Sequence, residues 1–220
     1  MNAATWDEAD ARFERFVAAL AERRAQLRQR ITETGGPELD STLQGLDALN
    51  AWYIDTALAD EPDGMDWRPE WLPGPSGPTR GSDGERAASP QVLRLWELVG
   101  VYLGDLTLAR FPRSRWVCWR DPSRGLVFNG EPIVDIGLPR FPLNVLSRAN
   151  ATVPRTYSFH GTGAEWDVPA DPTWLRRNLT HAFELADERL ATDRARWQEA
   201  PTGPRARRRR TTTYPGWRNL

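Results

Sequence analysis

The sequence predicts an α+β protein: a small, mainly antiparallel sheet packed against a buried central helix, an N-terminal helical hairpin and a long C-terminal helix. Three observations carry that expectation. Val92–Leu108 is an apolar run whose only formal charges are Arg94, Glu97 and Asp105, and a helix with so little polar face is enclosed on most sides. Asn129-Gly130, between Leu126–Phe128 and Pro132–Ile136, is a strong hairpin signal and makes the sheet antiparallel there. On both flanks, apolar residues recur at helical spacing, from Phe13 to Ile31 and from Trp174 to Trp197.

Thr5-Trp-Asp-Glu8 has the capping-box pattern, in which the hydroxyl accepts one backbone N–H and the glutamate another. Phe13, Phe16, Val17, Leu20, Leu27 and Ile31 follow, and Gly35-Gly36-Pro37 stops the run, so a first helix is expected over 5–34. A second is expected over 39–59, with Leu43, Leu46, Leu49, Tyr53 and Ala57 on its apolar side. Two antiparallel helices on a short loop form a hairpin, and their stripes need a partner surface. Val92–Leu108 is the expected one. Five Pro and five Gly between Asp60 and Ser89 preclude regular structure and leave a loop longer than an ordinary connection. Two readings of it stand: a surface insertion, or a lid or partner-binding loop in which Trp67 and Trp71 make the contact.

Ser89 caps the central helix and Pro90 opens it, since the first helical position needs no N–H. Gly100 and Gly104 lie on one face, where missing side chains let another backbone approach, but the three charges interrupt the run short of a bilayer span. Arg115–Arg120 alternates as a strand, with Trp116 and Cys118 on one face and Val117 and Trp119 on the other. Pro132 cannot donate to a ladder and belongs at a strand start or edge. Leu143–Ala149 reads as a short helix and Thr156–His160 as a fourth strand. Asp171-Pro172 opens the long C-terminal helix, whose apolar stripe is expected to lie on the sheet. One α+β domain is thus expected over 1–200, with a disordered Arg-rich arm over 201–220.

The central helix closes in Gly100, Tyr102, Gly104 and Asp105, a strand Trp follows at Trp116, and Pro142, Val145 and Arg148 come after. Over residues 90–160 this resembles small bacterial domains of unknown function, some of them similar to the immunity proteins of toxin systems. The resemblance implies structural rather than catalytic motifs and a role in capping a protein partner.

Composition narrows the function classes. All 29 basic residues are Arg, which with 18 Pro and 17 Gly points to a high-GC genome before it points to a function. A single Cys forms no intramolecular disulfide, the acidic start of the chain fits no targeting segment, and the cytoplasm is the expected compartment. The net charge of −1 conceals an acidic front and a basic tail: residues 1–110 net −8, residues 111–200 net +1 and residues 201–220 net +6.

Catalytic parts are scarce. Cys118, His160 and His181 have no paired ligand spacing, so no metal and no cofactor are expected. No phosphate-binding lysine motif, dinucleotide fingerprint or nucleophile elbow is present. Cys118, between two Trp on an apolar strand, reads as a buried small residue. Asp105 is either a general base or half of an ion pair, with Arg115 or Arg120 as the expected partner. His160, flanked by Gly161 and Gly163, is a surface residue or the centre of a hydrolase-type site with Asp105 or Asp167. Arg205, Arg207, Arg208, Arg209 and Arg210, near Tyr214 and Trp217, have the charge and stacking groups to hold nucleic acid. The leading expectation is a non-enzymatic protein–protein recognition module that binds through its acidic N-terminal half and the Trp67/Trp71 loop. Nucleic-acid association through the tail is the alternative, and hydrolysis through His160 the second.

Overall fold

A computed structural model of the chain describes residues 6–59, 90–120, 130–138, 141–150 and 171–199. In order these form α1 (Trp6–Ala18), α2 (Leu20–Thr34), α3 (Gly45–Ala59), α4 (Pro90–Arg110), β1 (Arg115–Cys118), β2 (Pro132–Asp135), α5 (Val145–Asn150) and α6 (Trp174–Glu199). The described residues are mostly helical, with a small two-stranded antiparallel sheet.

Helix α4 lies at the centre. From Val92 to Thr107 every residue except Arg94 and Asp105 is buried, and α2, α3, α5 and β2 all pack on it. Its two glycines serve different neighbours. A Cβ on Gly100 would sit 3.0 Å from the Leu146 Cα, so α5 does approach there backbone to helix. At Gly104 the space belongs instead to the Trp116 indole, which a Cβ would overlap. One turn before Gly100 on the same face, Trp96 also fixes α5, its Nε1–H donating to Leu146 O at 2.5 Å. Buried Asn144 caps α5 by accepting from the Ser147 N–H (2.9 Å).

The helix expected over 5–34 is bent at Ala19, which divides it into α1 and α2. The hydrogen-bond ladder continues through the bend, since Ala19 N–H donates to Arg15 O and Arg23 N–H to Ala19 O. The Arg23 guanidinium turns back onto Phe16 O (3.0 Å), lies over the Phe16 ring and pairs with buried Glu97 of α4 (2.8 Å). One side chain therefore ties both limbs of the bend to the core. Gly35 ends α2 in the left-handed conformation, as the sequence requires.

Helix α3 begins at Gly45 rather than at residue 39. Asp40 accepts from both the N–H and the hydroxyl of Thr42, and the Thr42 hydroxyl accepts from Gly45 N–H, so the first residues form a turn and a cap. The expected helical hairpin is also revised. Helix α2 packs mainly on α4, and α3 on α6 and α4, each stripe being buried separately. Helices α2 and α3 are joined at one end by the Trp52 Nε1–H bond to Thr34 Oγ1 (2.8 Å).

Strand β1 pairs directly with β2 in the register Arg115↔Asp135 and Cys118↔Pro132. Pro132 stands at the strand start, and β2 is bridged on its far side by Val134↔Leu143. Gly130, with φ +86°, faces Trp119 at the end of this ladder. The expected strands Leu126–Phe128 and Thr156–His160, the loop Asp60–Ser89 and the tail 201–220 lie outside the described residues. At the start of α6, Asp171 accepts from the N–H (2.9 Å) and hydroxyl (2.7 Å) of Thr173. Leu175, Leu179, Ala182, Phe183 and Ala186 are buried, and the helix packs on α3 and α5 rather than on the sheet.

Candidate functional site

Between α2, α4 and the turn that precedes α3 lies a cleft of about 190 Å³. Its walls are apolar, formed by Leu27, Leu39, Leu98 and Leu106. Its polar groups are Arg24 and Arg28, one helical turn apart on α2, and Tyr102 and Asp105 on α4.

Asp105, the carboxylate that interrupts the apolar helix, is held by Arg24. Nε donates to Oδ2 at 2.7 Å and Nη2 to Oδ1 at 2.6 Å, a fork-to-fork pair. That hydrogen bond raises the Arg24 guanidinium above its ordinary value. The expected partners Arg115 and Arg120 are therefore corrected. Arg115 opens β1 opposite Asp135, while Arg120 pairs with Asp10 of α1 and lies over the Trp6 ring. The reason is topological, because α1 covers β1 and α2 brings Arg24 alongside α4.

The turn supplies the remaining feature. Ser41 has φ +59°, a left-handed conformation that costs a non-glycine residue energy and persists where its surroundings hold it. Two groups do so here: the Asp40–Thr42 bonds on one side, and Tyr102 on the other, whose Oη accepts from Ser41 N–H at 3.2 Å. Thr42 draws the Asp40 carboxyl below the usual carboxylate range. The Tyr102 phenol is pushed up, first by burial and then by the carboxylates Asp40 and Asp105, against the opposing Ser41 N–H. It keeps its proton at neutral pH, and that O–H has no acceptor among the described residues.

Compared with protein-family models, curated proteins and solved structures, the chain matches none of them.

Of the residues singled out from the sequence, the described structure places Asp105, Cys118 and His181. They do not meet: Asp105 lines the cleft, Cys118 lies under α1, and His181 is exposed on α6. Burial pushes the Cys118 thiol up to about 11, with the Asp10 carboxylate adding to the effect, which opposes a thiolate nucleophile at neutral pH. His160, Asp167, Trp67, Trp71, Arg205, Arg207, Arg208, Arg209, Arg210, Tyr214 and Trp217 lie outside the described residues. Among the described residues, no group of three or more His, Cys, Asp or Glu is placed to hold a metal ion, and no helix is long and apolar enough to cross a membrane. Sequence reading missed Arg24, Arg28, Ser41 and Tyr102 as a group. The spacing of the two arginines around Leu27 was the one available signal, and nothing local announced the left-handed Ser41.

Charge also rearranges. Two carboxylates of the acidic front are matched to later arginines, Asp10 with Arg120 and Asp47 with Arg176, while Asp105 and Glu97 pair within the front, with Arg24 and Arg23. Folding thus consumes part of the sequence's charge asymmetry internally.

Proposed function

We propose that the protein is a non-enzymatic recognition module that binds a protein partner, with the α2–α4 cleft as its anchoring point. The size and rim of that cleft carry the reading. At about 190 Å³ it falls below the roughly 300–1,000 Å³ of ordinary small-molecule sites and suits a single side chain. Its acid is tied to Arg24 in a rigid fork, and its phenol is held protonated, so the rim binds and orients rather than exchanging protons. Strain stored at Ser41 fits a surface that the fold keeps in one shape. The acidic N-terminal half is a second candidate surface, since Asp7, Glu14, Glu22 and Glu38 are exposed. The role is of the kind that immunity-like bacterial domains perform.

Affinity capture from the native host with the full chain tests the proposal. A stoichiometric protein partner whose retention weakens with Arg28→Glu supports it. Failure to retain any partner, or retention indifferent to the cleft, counts against it.

A further inference from the structure

The donors of the cleft outnumber the acceptors that satisfy them. Arg24 spends Nε and Nη2 on Asp105, leaving Nη1 without an acceptor among the described residues. The Tyr102 O–H is likewise unspent, because the oxygen only accepts from Ser41. Arg28 is exposed at the rim, and its guanidinium has no ion pair or hydrogen bond among the described residues. Two carboxylates stand nearby and weigh against an anion, but Asp105 is matched by Arg24 and Asp40 is turned onto Thr42. Among the described residues that line the cleft, the cation left without an ion pair is Arg28. Beneath these groups lie Leu27, Leu39, Leu98 and Leu106, so an occupant must carry an anionic head and an apolar body within one short unit.

We propose that the cleft receives the carboxyl-terminal residue of a partner chain, an apolar residue whose free carboxylate meets Arg28, Arg24 Nη1 and the Tyr102 hydroxyl while its side chain enters between the leucines. The inference rests on the recognition reading above and names its ligand. A buried Asp or Glu side chain from a partner supplies the charge but little apolar body, and an internal apolar side chain supplies no charge. A chain terminus ending in Leu or a similar residue supplies both, and capture of a terminal carboxylate by convergent donors is a recurrent mode of peptide recognition. The volume of about 190 Å³ accommodates one such residue.

The test is calorimetric titration of the full chain with a short glycine–serine peptide ending in Leu, as the free acid and as the terminal amide. The acid is expected to bind at least about tenfold more tightly than the amide, with an affinity that falls as salt rises. Arg28→Gln, on an exposed side chain whose loss leaves the fold intact, is expected to erase that difference, and Tyr102→Phe to reduce it. Equal binding of acid and amide overturns the proposal, as does the absence of binding by both. A peptide with an internal Glu that binds as well as the terminal acid overturns it too, and so does 4-methylpentanoate binding as tightly as the peptide, which assigns the cleft to free small acids. A captured partner whose retention survives removal of its last residue rejects this inference while leaving the recognition reading standing. Failure to capture any partner rejects the reading itself.

Discussion

Gly104, Cys118 and Glu131 each hold a position that a single substitution or a pH series can interrogate. The Gly104 site is occupied by the Trp116 ring, itself packed edge-on against Phe16 with centroids 5.0 Å apart. Neither ring can move away freely, so Gly104→Ala is expected to cost about 1–3 kcal/mol, read from equilibrium denaturation. An unchanged midpoint contradicts the packing described. With its thiol near 11 rather than the ordinary 9.0, Cys118 carries about 100-fold less thiolate at neutral pH. Alkylation at pH 7 is therefore expected to run about 100-fold slower than that of a free thiol, and a rate matching the free thiol rejects the half-buried setting of Cys118. Buried Glu131 accepts from Asn144 Nδ2 (2.8 Å), and burial pushes its carboxyl above the ordinary range against that bond. The folded state then holds the proton more tightly than the unfolded one. Stability is present in acid and lost as pH rises through the raised value. Glu131→Gln keeps an acceptor for Asn144 and is expected to flatten that slope in melts across pH 4 to 8. A variant less stable than the parent at pH 7 contradicts the assignment.

Among the elements, caps and stops carry the most testable content. Asp171 bonds both the N–H and the hydroxyl of Thr173, which draws its carboxyl below the usual range. Asp171→Ala is expected to cost about 1 kcal/mol. Because the folded carboxyl is the more acidic, the parent's advantage is present at neutral pH and fades as pH falls through that lowered value. An advantage that persists in strong acid contradicts the cap. Helix α4, the α5 segment and the Gly35 stop were legible, because each depends on a local pattern of polarity or a residue with special backbone freedom. The bend at Ala19 was not, since it is enforced by Arg23 reaching Phe16 O and Glu97, and Glu97 lies on a helix far along the chain. The late start of α3 has a local cause in the Asp40–Thr42 turn, which the helical spacing of Leu43 and Leu46 obscured. Of the two readings of Asp105, the ion pair is the one seen, but its partner is Arg24, 81 residues away and beyond any spacing argument, and not Arg115 or Arg120.

For the whole molecule, carboxylates of the acidic front and later arginines become cross-links between distant parts, Asp10 to Arg120 and Asp47 to Arg176, and Arg110 with Asp187 adds one in the opposite sense. These pairs are partly exposed, so they orient elements more than they stabilise them, and they are weakened by salt. The packing around α4 supplies the stability and holds the cleft walls in place; over an apolar floor the cleft presents donors of Arg24, Arg28 and Tyr102 that have no acceptor among the described residues. In the proposal above, recognition centres on Arg28. The most direct measurement is quantitative affinity capture from the native host with three full-length baits: the parent, Arg28→Glu, and Glu188→Arg on exposed α6. The account predicts one partner held equally by the parent and by Glu188→Arg and lost with Arg28→Glu. A partner held by all three alike, or by none, contradicts it.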